Sequence, residues 1–201
     1  MTDFFALLAE ARRPWLEAAA LKQKFLARSA SLHPDKVRGA DAAGQAEATG
    51  TFAELNAAYA CLAEPKSRLL HLLELERGAR PAEIQQIPGG LADLFAEVAM
   101  TCRQADGFLA EKSKVTSPLL QVQGFERSQA WIEKLEALRK KLDGLRGRLL
   151  EELKAADEQW MGAETGGRGD ALAKLEELYR LFSYFNRWHK QIQERALQLM
   201  M

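Results

Sequence analysis

Histidine, proline, aspartate and lysine follow one another at His33, Pro34, Asp35 and Lys36, and this run holds the most concentrated chemistry in the chain. An imidazole that donates or accepts hydrogen bonds stands two residues from a carboxylate that can pair with a partner's arginine in an oriented, charge-assisted contact. Pro34 decides where these groups sit. It cannot continue a helix and it biases His33 away from helical backbone angles, so the helix read upstream stops beside it and the run is forced into a loop. Lys22, Lys24 and Arg28 lie on that upstream helix, with Lys36 and Arg38 just past the proline, a basic flank suited to an acidic surface. The chain has no glycine-rich phosphate loop, nucleophile elbow or metal-binding helix pair, so this chemistry reads as recognition and an enzyme is not expected.

Composition narrows the partners. The 28 basic and 28 acidic residues cancel, so no global field draws the chain to nucleic acid or to an anionic membrane. Apolar stretches fall short of the roughly 18 residues of a membrane span, and residues 1–8 carry no basic leader, which makes a cytoplasmic protein the expectation. Cys61 and Cys102 lack neighbours at metal-ligand spacing and read as small core residues. His71 and His189 fall on apolar helical faces and read as structural. Trp131, Trp160 and Trp188 read as packing anchors, so neither a metal nor a cofactor is expected.

These residues need elements to place them, and the elements are helices. Val and Ile are scarce and never alternate with polar residues, whereas Ala, Leu, Glu, Lys, Arg and Gln fill the long segments, which predicts an all-α chain. A short helix over residues 3–9 precedes a second from Pro14 to about Leu32, with Leu21, Phe25 and Leu32 on one face. Residues 37–50 read as a mobile connection. A third helix over 51–63 presents Phe52, Leu55, Tyr59 and Leu62 to the second, and a fourth covers 66–77. Gly78, Pro81 and Pro88-Gly89-Gly90 then punctuate a linker over 78–90. Beyond it, stripes over 91–112, 125–161 and 170–199 close most simply as an antiparallel three-helix bundle spanning 91–201.

The aromatic opening helix, the helix ending in His33-Pro34-Asp35-Lys36, the loose loop and Leu55-Asn56-x-x-Tyr59-x-x-Leu62 together resemble a J-domain over residues 1–77. Glu64-Pro65-x-x-Arg68-Leu69-Leu70-x-Leu72-Leu73, followed by a linker and three helices, is similar to the HscB family of iron-sulfur cluster co-chaperones. That resemblance implies an L-shaped molecule without a catalytic site. It implies that His33, Pro34 and Asp35, flanked by Lys22, Lys24, Arg28 and Lys36, engage a DnaK- or HscA-type chaperone and stimulate its ATP hydrolysis. It further implies a client, an iron-sulfur scaffold protein, held by Leu94, Phe95, Val98 and Tyr184 of the bundle. The family's acidic residues beside that patch are missing: Ala99, Thr101, Cys102, Arg103 and Gln104 stand there, with Glu97 and Asp106 nearby. A J-domain protein with another client, or a helical protein that pairs with itself through exposed leucines, stays open.

Overall fold

A computed structural model describes residues 2–32, 42–82, 90–163 and 168–201. His33, Pro34, Asp35, Lys36 and Arg38, and residues 83–89 of the predicted linker, lie outside the described residues. The helices are α1 (Phe4–Leu7), α2 (Ala18–Leu32), α3 (Ala42–Ala63), α4 (Pro65–Arg77), α5 (Ala92–Lys112), α6 (Pro118–Gly162) and α7 (Gly169–Met200). No strand occurs among the described residues, so the all-α expectation holds.

Three boundaries differ from the sequence reading. The second helix starts at Ala18 rather than Pro14, because the backbone around Pro14 and Trp15 is claimed by side chains distant in sequence: Arg68 donates to the Pro14 carbonyl at 2.7 Å, and Asp157 accepts the Trp15 N–H at 3.0 Å. The third helix starts nine residues earlier than expected, at Ala42. Alanine propensity along AAGQAEATG outweighs the cost of Gly44 and Gly50. The sixth starts at Pro118, where proline's fixed φ and missing N–H fit the first turn.

The chain divides into two compact units, the first comprising Met1–Ala82 with Glu151–Tyr179. In this unit α3 packs on α1, α2 and α4. Phe5, Leu8, Leu21, Leu55, Leu62, Leu69 and Leu72 are buried at its centre, and Phe25 stacks on Tyr59 at 4.3 Å between α2 and α3. The corner between α3 and α4 follows from Glu64-Pro65. The Glu64 carboxylate accepts the Ser67 N–H at 2.7 Å, and Pro65 occupies the first turn, where no N–H is needed. Gly78 ends α4 at φ 69°, a left-handed angle that glycine adopts without a Cβ penalty.

His71 is 5% exposed and stacked against Phe4 at 4.7 Å, and its Nε2 accepts the Phe4 N–H at 3.1 Å. That bond uses the lone pair a proton would take, so the folded unit holds the neutral ring; burial pushes its pKa down from 6.5, against the pull of Asp3 and Glu74. Protons therefore bind the unfolded chain first. Stability should be full above about pH 7 and fall as pH drops below about 6.5, through the window where the unfolded but not the folded imidazole is charged. Urea midpoints at pH 7.5 and pH 5 measure this, and His71→Leu should flatten the difference.

The second unit comprises Glu83–Leu150 with Arg180–Met201. Its register can be read from cross-helix pairs. Glu97 meets Lys141, Phe108 stacks on Trp131 and Glu111 meets Arg127, so numbers rise along α5 as they fall along α6. Phe95 meets Trp188, Asp106 meets Arg195, and Lys112 donates to the Leu199 carbonyl, so α5 and α7 run parallel. Val98, Cys102, Ala105, Leu135, Leu138, Leu142, Phe185, Trp188 and Ile192 fill the core between them.

Candidate functional site

His33, Pro34 and Asp35 follow α2 in the sequence, and α2 itself is held in place by its basic side chains. Arg28 donates to the Leu7 carbonyl at 2.6 Å, and Lys24 donates to the Ala9 carbonyl at 3.0 Å while pairing with Glu10 at 2.9 Å. Both cations thus fasten α2 to the C-terminal end of α1, where unpaired carbonyls favour positive charge. Lys22 is exposed and makes no ion pair with any described residue. One turn further along, Leu26 is 53% exposed. The outward face of α2 therefore combines one cation with an apolar side chain. Sequence spacing grouped Lys22, Lys24 and Arg28 without distinguishing them, because the carbonyls that engage two of them belong to the end of α1 and the turn after it.

Among the bundle residues, Phe95 and Tyr184 are brought together over Trp188, with ring centroids 6.2 and 5.7 Å from the indole. Phe95 is 40% exposed and Leu94 half-buried, while Val98, at 1%, is turned into the core. Phe95 opens onto a cleft of about 480 Å³ shared with Ala96, Ala99, exposed Met100, Arg103 and Gln104. Two carboxylates of this neighbourhood are already engaged. Glu97 accepts from Lys141, and Asp106 pairs with Arg195 at 2.6 Å. The patch is apolar with a basic edge.

Both thiols are held in the protonated form. Burial, helped by the charges of Glu64 and Glu74, pushes Cys61 up to about 11, and burial likewise raises Cys102.

Comparison with known proteins rests on shape. No protein-family model matches the chain, and no curated protein does. A crystal structure of the human co-chaperone protein HscB superposes with a TM-score of 0.62 at 17% identity, covering 97% of this chain and 82% of that one. The fold is that of HscB. The chaperone HscB from Vibrio cholerae aligns over 95% of this chain and 99% of its own at 19% identity, with a TM-score of 0.47. The superposition on the human structure, over 97% of this chain, takes in both compact units. None of the helices described is long and apolar enough to cross a membrane.

Proposed function

We propose that the chain is an HscB-like co-chaperone of the cytoplasm, without catalytic activity of its own. It stimulates ATP hydrolysis by a DnaK- or HscA-type chaperone through His33, Pro34 and Asp35, and delivers an iron-sulfur scaffold protein on its bundle. One observation carries this reading: a chain with an HscB-like fold over 97% of its length also has His-Pro-Asp-Lys immediately after α2. Pro34 holds the corner, and Asp35 pairs with an arginine of the chaperone. Lys22 and Lys36 supply the basic flank, while Lys24 and Arg28 hold α2 against the end of α1. Phe95, Leu94 and Tyr184 meet the client, and Val98 supports them from the core.

Steady-state ATPase measurements test the first half. The full chain should accelerate hydrolysis by the chaperone, and His33→Gln should abolish the acceleration while leaving the circular dichroism spectrum unchanged. Equal stimulation by the variant would overturn the reading. Phe95→Ala should weaken scaffold binding without changing the ATPase effect. The engaged state of Glu97 and Asp106 favours a second reading, a J-domain co-chaperone whose client differs from an iron-sulfur scaffold. Normal stimulation with no scaffold binding would select it.

A further inference from the structure

Residues 139–148 of α6, RKKLDGLRGR, carry five basic residues and one acid in a chain whose 28 basic and 28 acidic residues cancel overall. Three of them, Lys140, Lys141 and Arg148, line a groove of about 450 Å³ with Leu94 of α5 and with Gly144 and Leu145 of α6. Lys141 is spent on Glu97. Lys140 and Arg148 make no ion pair with any described residue and are exposed. They stand at i and i+8 with Gly144 at i+4, so all three share one helical face, and the two cations lie about 12 Å apart along the axis. A Cβ built on Gly144 meets nothing within 4 Å, so the space between the cations is open, with leucines beside it.

We propose that this groove docks an extended acidic segment of the client protein, of the pattern acid-x-apolar-x-acid. In an extended chain residues i, i+2 and i+4 point to one side and span about 13 Å. The outer carboxylates then meet Lys140 and Arg148, and the middle side chain enters above Gly144 against Leu94 and Leu145. This rests on the bundle being the client-carrying unit and names the chemistry of that client. A protein segment fits better than a nucleic acid or a membrane. Two unengaged cations around an apolar floor match one pair of carboxylates, whereas a polyanion would be held by a longer basic track and by a net positive field that a neutral chain lacks.

The test is fluorescence anisotropy with the full chain and a fluorescein-labelled peptide of core Glu-Ser-Leu-Ser-Glu, against a Glu-Glu-Ser-Ser-Leu control. The first peptide should bind and the second should bind about tenfold more weakly. Lys140→Glu combined with Arg148→Glu should lower affinity about tenfold or more. Gly144→Gln keeps both cations, fills the groove floor and suits the helix, so it should weaken binding while leaving the fold intact by circular dichroism. Arg139→Glu, outside the groove lining, should change little. Equal binding of both peptides, insensitivity to the double charge reversal, or insensitivity to Gly144→Gln overturns the proposal. So does preferential binding of a single-stranded oligonucleotide or of phosphatidylserine vesicles through the same residues. No chaperone enters this assay, so failure of ATPase stimulation and failure of the groove are observed separately.

Discussion

Replacing Arg68 with alanine is expected to cost the first unit about 3–5 kcal/mol, more than any single apolar truncation on α4 short of a core leucine. The side chain is 2% exposed, and it donates to the Pro14 carbonyl at 2.7 Å and to the Leu62 carbonyl at 2.6 Å. Leu62 lies in the last turn of α3, whose carbonyls have no partner within the helix and form the negative end of its dipole. The same guanidinium therefore caps α3 and pins the connector that leads into α2. Burial pushes its pKa down to about 10, which leaves it charged at neutral pH but marks a desolvation cost that the two bonds must exceed. Alanine removes both bonds, strands two carbonyls and opens a cavity. Arg68→Lys should be intermediate, because a single ammonium cannot reach two carbonyls as a planar fork does. Urea unfolding measures the loss as a lower midpoint at unchanged slope, and a midpoint equal to that of the wild type would refute the assignment.

Arg68 also marks how far the sequence could be read. The all-α class, the helical stripes and the packing of α2 on α3 follow from local spacing, and residues such as Leu21, Leu55 and Leu62 are buried as their periodicity requires. The start of α2 did not follow. Pro14 is well suited to begin a helix, and what keeps residues 14–17 out of one is a pair of side chains 54 and 142 positions away. Local propensity carries no information about such partners. The same holds at the candidate surfaces. Phe95 and Tyr184 are 89 positions apart by number and meet over Trp188, a residue that spacing identified only as packing. The basic run 139–148 is contiguous in the sequence, but an amphipathic helix usually carries such charges on its solvated face. What distinguishes it is the placement of Gly144 between Lys140 and Arg148, two cations without an ion pair among the described residues, beside Leu94.

The second large effect lies in the ion pair that fixes the same connector from the other side. Both oxygens of Asp157 accept from Arg13, and Oδ1 also accepts the Trp15 N–H at 3.0 Å. Trp160, one turn along α6, donates its indole N–H to the Arg12 carbonyl at 2.8 Å. The partners are unequally placed, since the side chain of Asp157 is 4% exposed and that of Arg13 is 37% exposed. Removing either leaves the other without its ion-pair partner, and of the two only the carboxylate is then held away from water. Arg13→Ala should therefore cost about 3–5 kcal/mol, the penalty of stranding a buried charge. Asp157→Ala should cost about 1–3 kcal/mol, because the guanidinium rehydrates and the chief loss is the bond to the Trp15 N–H. The double variant Arg13→Met with Asp157→Leu should fall well short of the summed single costs, since it leaves no charge behind. A urea-denaturation cycle over the four proteins checks the order. Strict additivity, or a larger loss for Asp157→Ala than for Arg13→Ala, would mean that the connector before α2 is held by packing around Trp15 and Trp160 rather than by this pair.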